Sequence, residues 1–342
     1  MEFPFAIGPR ATITPALLDL VVQHYQLGSV LSVTDLGGTY NLNIALQTAE
    51  ATFVARVYRP WVTYERLLAI QPLKNQLVDY QIPVILPLHT TTGQTLIEVE
   101  QRLVEVELFI PHEQGSESWP HVQQRFAFLG QLHSVLSQLG NVVAIPAPQV
   151  ENYALPQTLL SWTANTKQRL AQHHDPRVPA ALAICGTVES LLHEIALWWE
   201  QSSNDLPCQL IHGDYGLSNV LSAQGQIRAV VDWDFVAVHE RVFELAYALF
   251  WMCERMEGAT ANYERAWQRV GEMVSLYQAT NQRSLTEEEQ QALPMEMARV
   301  PLYWIAEAAW LDDPMEAVLS RADQIAFASW LMQHRPVLVA DR

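Results

Sequence analysis

Lysine is nearly missing from this 342-residue chain: only Lys74 and Lys167 stand among its 20 basic residues, against 37 acidic ones. The formal net charge of −17 leaves no basic surface of the kind that nucleic acid or an anionic membrane requires, so neither is expected as a partner. Cysteine is scarce as well. Cys185, Cys208 and Cys253 lie far apart in apolar surroundings without C-x-x-C spacing, and they read as buried free thiols of a reducing cytoplasm. The opening Met1-Glu-Phe-Pro-Phe5 lacks the basic-then-apolar order of a signal peptide. No uninterrupted apolar run approaches the ~18 residues that span a bilayer, and neither internal repeats nor low-complexity tails occur. What is present is a 49% hydrophobic content, ample for sizeable cores, at a length that suggests two domains or one large bilobal one.

Chemistry concentrates between Ile211 and Asp234. Leu210-Ile211 reads as a strand end and His212-Gly213-Asp214 as the turn leaving it. Asn219–Ser222 and Ile227–Val231 read as two strands, with Ala223-Gln224-Gly225-Gln226 as their loop. A hairpin pairing Ser222 with Ile227 sets Asn219 near Val230, with Asp232 just past it. Asp214, Asn219 and Asp232 are then expected to converge at its open end. Two carboxylates and a carboxamide oxygen make a hard-oxygen site suited to Mg²⁺, with one acid left over.

His212-Gly213-Asp214, Asn219 at the fifth position beyond Asp214, and Asp232 at the end of the next apolar strand form a pattern. It resembles the catalytic core of the protein-kinase-like small-molecule phosphotransferases: the aminoglycoside phosphotransferase, choline kinase and type II homoserine kinase group. The resemblance implies that Asp214 accepts the proton of a substrate hydroxyl, while Asn219 and Asp232 hold the Mg²⁺ that bridges the phosphates of ATP. Val231-Asp-Trp-Asp-Phe235 with Phe243-Glu-Leu-Ala246 resembles the group's D-W-E…D-L-A, which makes Glu244 a brace on the catalytic-loop backbone. A helix cap is the other reading of Glu244, and the two are compatible. Tyr215-Gly-Leu-Ser218 stands where the group often has Leu-His-Pro-Gly.

Upstream, Thr14-Pro15 followed by Leu17, Leu18, Val21, Val22 and Tyr25 predicts a capped helix closed by Gly28. Strands follow at 30–36, 42–48 and 52–59. Gly37 and Gly38, in the turn 37–41, serve either a tight hairpin or a flap whose backbone N–H groups cover ATP phosphates. Arg56 is a cation inside an apolar strand and needs a carboxylate or a phosphate; the resemblance assigns it to the α- and β-phosphates. It also asks for a helical Glu partner, for which Glu65 lies early and Gln71 lies nearer the usual place, with Pro72 interrupting or restarting that helix. Segments 83–88, 96–100 and 103–109 complete a five-stranded sheet. Glu107 to Pro111 reads as a hinge whose backbone meets the adenine edge, which puts Glu107 and Phe109 among the nucleotide contacts.

Ser118-Trp119-Pro120 opens a long helix with Val122, Phe126, Leu129, His133 and Leu136 on one stripe, closed by Gly140. His133 reads as a satisfied core histidine, although Leu132-His133 also resembles the group's pattern. Residues 141–156 form an irregular connection. Helices are expected from there to about 207, then at 240–255, at 262–280, in a segment opened by the capping box Ser284-Leu-Thr-Glu287, and at 315–333.

The expected fold is therefore α+β, bilobal and protein-kinase-like. It has an N-terminal antiparallel five-stranded sheet lobe (1–107), a hinge (108–112) and a mostly helical C-terminal lobe (113–342). The expected activity is ATP- and Mg²⁺-dependent transfer of the γ-phosphate to a hydroxyl of a small metabolite: an amino alcohol, amino acid, sugar or aminoglycoside. Acids near Asp232 and around Trp304 and Trp310 point to an acceptor carrying an amine or other cationic group. Two rivals stand beside this reading: a non-catalytic nucleotide-binding protein of the same fold, and a metallophosphoesterase using Gly213-Asp214. Neither oligomeric state nor acceptor identity is readable from the residues.

Overall fold

The structure is a computed structural model describing residues 10–39, 41–113, 118–140, 144–257, 262–335 and 337. Tyr40 of the glycine turn, the opening residues 1–5 and positions 141–143 of the irregular connection lie outside that set. The described residues fall into two compact units. One gathers those of Met1–Gly115, Asn141–Val150 and Val220–Asp234, the other those of Ser116–Gly140, Glu151–Asn219 and Phe235–Arg342.

The first unit is built on a five-stranded antiparallel sheet of order β1-β2-β3-β5-β4, with β1 Val30–Gly37, β2 Leu42–Thr48, β3 Thr52–Val57, β4 Leu96–Val99 and β5 Arg102–Leu108. Period-two alternation decides its two faces. Leu42, Ile44, Leu46, Ala55, Val57, Val104 and Val106 point to one side and bury Leu17, Val21 and Tyr25 of helix α1 (Pro15–Tyr25). Thr14 Oγ1 caps α1 by accepting from Leu17 N–H at 3.1 Å. Arg56, Tyr58, Glu105 and Glu107 occupy the other side with α2 (Tyr64–Asp79), and there they line a narrow cavity.

Two expectations fail in this unit. Segment 83–88 is no sheet strand: Val84 makes one isolated parallel bridge to Val230, and Pro83 and Pro87 remove ladder donors on either side of it. Nor does Pro72 break α2, which runs through it. The carbonyl that loses its bond, four residues back at Leu68, belongs to a residue left 38% exposed, where water can serve it. The hairpin of β7 (Val220–Ala223) and β8 (Gln226–Val230) has the expected Ser222–Ile227 pairing. It joins this unit through Val230 N–H to Pro83 O (2.8 Å) and Glu113 N–H to Ser222 O (2.8 Å).

The second unit is mostly helical. It contains α3 (Trp119–Leu139), α4 (Pro156–Leu170), α5 (Val178–Ser202), the strand pair β6 (Cys208–Ile211) and β9 (Ala237–Glu240), α6 (Arg241–Met256), α7 (Tyr263–Thr280), α8 (Glu287–Ala306), α9 (Pro314–Leu319) and α10 (Ala322–His334). The α3 stripe is buried as its spacing requires. The capping box lies two residues later than expected, with Thr286 Oγ1 accepting from Glu289 N–H at 3.2 Å and Glu289 Oε2 accepting from Thr286 N–H at 2.8 Å. The expected final helix is two, parted after Leu319. Cys185 and Cys253 are buried, but Cys208 is exposed because it begins the edge strand β6. Among described helices α5 alone is long and apolar enough to cross a membrane by length and composition; Glu189 and Glu194 interrupt it, and it buries Ala181, Cys185, Val188, Leu192 and Ile195 on one stripe.

Helices α3 and α7 pack against each other at Gly130. A methyl group there would press into Tyr277 O and Thr280 Oγ1, and the Thr280 hydroxyl already donates across to Ala127 O at 2.5 Å. Gly130→Ala should therefore destabilise by about 1–3 kcal/mol through overpacking, although the same change in an open helix stabilises by about 1 kcal/mol. Urea unfolding checks this; a midpoint at or above that of the wild type would show that the helices do not meet here.

Candidate active site

The chain leaving β6, whose Ile211 pairs with Ala237 of β9, must turn at once. Gly213 supplies the turn with φ +82°, and a Cβ there would collide with the carbonyl of Phe235, so only glycine fits. The turn is held from outside its own backbone. Glu244 Oε2 accepts from His212 N–H (3.0 Å) and Oε1 from Gly213 N–H (2.5 Å). His133 Nε2 lies 2.8 Å from Glu244 Oε2, and its Nδ1 lies 2.9 Å from the Tyr277 hydroxyl. Glu244 is thus the brace the sequence implies and not a cap, for the N-cap residue of α6 is Glu240. His133 is the satisfied core histidine, fully buried. Burial drives the Glu244 carboxyl upward, but the hydrogen bond and charge of His133, the charge of His212 and the His212 N–H together outweigh it. The net pKa is lowered, and Glu244 is ionised.

This turn presents Asp214. Its Oδ1 accepts from Asn152 Nδ2 (2.9 Å) and the Tyr247 hydroxyl (2.8 Å), and its Oδ2 from Asn219 Nδ2 (3.0 Å), which also reaches Asp214 O (2.8 Å). Burial, reinforced by the Asp214 charge, holds the Tyr247 phenol well above its ordinary value, so it stays a donor. With Nδ2 committed to Asp214, Asn219 has its carbonyl oxygen to offer a cation. Asn152 and Tyr247 escaped the sequence reading. Tyr247 carried a signal, three residues after Glu244 and on the same face of α6; Asn152, in irregular chain, carried none.

Arg56 and Asp232 lie in the other unit, where they pair directly. Asp232 holds a left-handed backbone, φ +69°, a conformation that costs energy for a residue with a Cβ. Neither Glu65 nor Gln71 partners Arg56: Glu65 is exposed, and Gln71 Nε2 donates to Thr95 Oγ1 at 2.6 Å. Helix α2 brings a cation in place of an acid. Lys74 Nζ sits 2.6 Å from Glu107 Oε1 and 4.0 Å from Glu105 Oε1, and Glu105 also accepts from the Tyr58 hydroxyl. Burial, then the proximity of Glu107, pushes the Glu105 carboxyl up against the pull of Lys74. Asp234 is held by Arg59 Nη2 (3.5 Å) and Asn41 Nδ2 (3.4 Å). Arg56, Lys74, Glu105, Glu107, Asp232 and Asp234 line a cavity of ≈ 20 Å³, room for about one water.

The remaining nucleotide candidates lie on the same sheet. Gly37 (φ +89°) ends β1 opposite Asn43 and Gly38 (φ +115°) follows it, and a Cβ on Gly38 would lie 2.6 Å from Asn41 O. Glu107 pairs with Val54 in the β3–β5 ladder, and Phe109 N–H donates to Thr52 O at 2.9 Å. Since main-chain groups alternate along a strand, those of Leu108, between them, turn away from β3.

A family model for phosphotransferase enzymes matches residues 33–278. This chain belongs to the phosphotransferase enzyme family. Along nearly its whole length it is similar to homoserine kinase of Phenylobacterium zucineum (strain HLK1), 24% identical over 328 residues, 94% of each chain. It is similar likewise to homoserine kinase of Gluconobacter oxydans (strain 621H), 21% identical over 313 residues, 91% of this chain and 92% of the relative. A shorter stretch of 86 residues, 24% of each chain, is 35% identical to hygromycin-B 4-O-kinase of Escherichia coli. Among solved structures it is similar in fold to a microcompartment-associated aminopropanol kinase (TM-score 0.69, 17% identity, covering 93% and 96% of the two chains). It also resembles the amicoumacin kinase hAmiN in complex with AMP-PNP, Ca²⁺ and Ami (TM-score 0.66, 15% identity, 95% of each chain). The fold is the protein-kinase-like one, and the chain is a phosphotransferase of the small-molecule kinase type. The metallophosphoesterase reading is thereby displaced.

Glu244→Gln should cost this kinase about 2–3 kcal/mol at neutral pH, because an amide cannot accept both backbone N–H groups and must set its own donor against one of them. The sign with pH follows from the lowered carboxyl. Its contribution is fully present above the unfolded value of 4.5 and is lost as pH falls through the folded value. Urea midpoints of wild type and variant should hence converge below 4.5; curves that stay parallel there would remove Glu244 from this role.

Proposed function

We propose that this phosphotransferase moves the γ-phosphate of ATP to a hydroxyl of a small acceptor, with Asp214 taking the hydroxyl proton. The observation that carries the reading is the Asp214 carboxylate, fixed by three side-chain donors on a turn that Glu244 braces. Phosphoryl transfer needs positioning and charge neutralisation more than covalent help, and a fixed carboxylate supplies the former. In this reading Asn219, through its carbonyl oxygen, and Asp232, through its carboxylate, hold Mg²⁺; both are the hard oxygen donors that ion takes. Bound Mg²⁺ would neutralise charge on the phosphates. Arg56 leaves part of its pairing with Asp232 to meet phosphate oxygens, and Gly37 and Gly38 let backbone N–H groups approach them. The adenine edge meets the main chain of the 108–112 hinge. There Leu108 replaces Glu107 and Phe109 as the contact, because the Phe109 N–H is held by Thr52. Functionally, 1–107 is the nucleotide lobe and 113–342 the catalytic and acceptor lobe.

The acceptor, we infer, carries an amine beside its hydroxyl. Sequence relatives are named for homoserine and a fold neighbour for aminopropanol, and a strongly acidic chain attracts a cation. The three cysteines unpaired with one another accord with a cytoplasmic setting.

Acceptor-dependent ADP release with Mg·ATP tests the whole. Homoserine, 1-amino-2-propanol, ethanolamine, hygromycin B, spectinomycin and neutral sugars form the panel. Asp214→Asn should lower kcat by on the order of 10²–10⁴-fold with ATP binding nearly intact, and Asp232→Ala should abolish Mg²⁺-supported turnover. An Asn variant at wild-type kcat would sink the Asp214 assignment, and phosphorylation of sugars alone would end the amine reading.

A further inference from the structure

We propose that Asn152 is a positioning residue for Asp214, held in place by a clasp that its neighbours Glu151, Tyr153 and Ala154 make with β9, α6 and α8; the inference rests on the reading of Asp214 as proton acceptor. Asn152 lies in irregular, part-exposed chain before α4, where the local backbone gives a side chain no fixed direction. Its Nδ2 nevertheless stands 2.9 Å from Asp214 Oδ1, so its precision must be imported.

The neighbours supply it. Glu151 Oε2 meets His239 Nε2 at 2.7 Å, and Glu151 O accepts from the Tyr303 hydroxyl at 2.7 Å. The Tyr153 ring stacks on the His239 imidazole (4.0 Å between centres, 23° between planes) and stands edge-on to Phe243 (5.0 Å, 90°). Arg299, buried to 2% exposure, lays its guanidinium 4.6 Å from the Tyr153 ring centre, 4.9 Å from Trp199 and 5.1 Å from Phe243. The same guanidinium donates to Ala154 O (3.4 Å) and is balanced by Glu296 Oε2 (2.6 Å). Residues 151, 153 and 154 are therefore tied to β9, α6 and α8 through the shared partners His239 and Arg299 and through Phe243 and Tyr303, and Asn152 is the one of the four whose side chain goes to Asp214.

The chemistry chosen for the clasp fits placement better than cohesion. Apolar side chains would fill the space around Arg299 with no desolvation of charge. A guanidinium among three aromatic faces, with a hydrogen bond to one carbonyl, fixes directions that methyl groups cannot. Fixing Asn152 matters because Oδ1 then has donors from two separate chain segments, Asn152 before α4 and Tyr247 on α6. Two fixed donors on one oxygen, with Asn219 on the other, remove rotation of the carboxylate about Cβ–Cγ. A misplacement of about 1 Å at a catalytic group costs on the order of 10²-fold.

The test measures kcat and KM for Mg·ATP with the panel member turned over fastest, and with water as acceptor where none is turned over. Asn152→Ala should lower kcat roughly 10–100-fold with the KM for ATP and the urea midpoint unchanged. Asn152→Asp keeps the shape but sets a second carboxylate against Asp214, so it should lose more than Asn152→Ala. Glu151→Ala should lower kcat less, and combined with Asn152→Ala it should add nothing, since it acts through the missing amide. Wild-type kcat in Asn152→Asp, or additive losses in the double variant, would overturn the proposal. Equal losses in the two Asn152 variants together with a lowered urea midpoint would do the same, by showing a structural role only. Asp214→Asn separates the two readings. If it is inactive while the Asn152 variants are normal, only this inference falls; if it turns over normally, the Asp214 reading falls and this one with it.

Discussion

A buried carboxylate at the start of α6 is the constraint on which the His212–Asp214 turn depends. Glu244 is 1% exposed, and a charge so placed is tolerable only where hydrogen bonds replace its water. His212 N–H, Gly213 N–H and His133 provide them. The dependence runs both ways. The turn after β6 has no ladder partner for those two N–H groups, and burying them unmade would cost more than the turn's own backbone returns. Helix α6, strand β6 and helix α3 are thereby bound to one geometry. Tyr247, three residues along α6, inherits its position over Asp214 from the same brace.

How much of this was legible in the residues depended on whether a signal was local. The hairpin register followed from two apolar runs and a four-residue loop, and Ser222 does face Ile227. The α3 stripe followed from its period. Glu244 as a brace came from a resemblance in sequence, and the oxygen-to-N–H distances give it physical content. Where partners came from distant chain, reading failed. Asn152 lies 62 positions from Asp214 in an irregular stretch, with no period or cap to mark it. Pro72 does not break α2 for another reason: the carbonyl it frees sits on Leu68, which is 38% exposed.

The polar face of the sheet departs from the kinase arrangement more than the catalytic turn does. The resemblance calls for a strand cation paired with a helix acid. Here α2 presents Lys74, the acids Glu105 and Glu107 stand on β5, and Arg56 turns to Asp232. Arg56 and Lys74 thus face Glu105, Glu107, Asp232 and Asp234 around one cavity, and Arg59 pairs with Asp234 beside it. Carboxylates exceed cations by one, and a desolvated excess of that kind is relieved by protonation or by a bound cation. The upward push on Glu105 is the first response. A divalent ion on Asp232 would be the second, and it would free Arg56 for phosphate without leaving the aspartate unpaired. In the proposed reading the pairing of Arg56 with Asp232 would hold both side chains until nucleotide and metal gave each a partner of opposite charge.

The acid surplus that suggests an amine-bearing acceptor has to be weighed residue by residue, because much of it is already committed. Asp234 belongs to Arg59 and Asn41, and Glu244 to the catalytic turn. Asp313 caps α9 by accepting from Glu316 N–H at 2.9 Å. Glu307, beside Trp304 in sequence, is 3% exposed; burial pushes its carboxyl up to about 8, against Arg321 and the Tyr303 hydroxyl, so at neutral pH it is largely uncharged. Arg321 itself lies over the Trp304 ring, 5.6 Å from its centre, in the place where a cationic acceptor would otherwise find that face. Net charge therefore draws an amine toward the molecule over distances of about a Debye length, but it does not by itself recognise one. In the proposed reading an amine at contact range would be met by the Asp214 carboxylate, which three donors already orient. An acceptor whose amine lies a few bonds from its hydroxyl would meet that carboxylate field directly, whereas one with a distant amine would have to compete with Arg321 for the aromatic faces. Distance between amine and hydroxyl, rather than total charge, is the property on which these residues would discriminate.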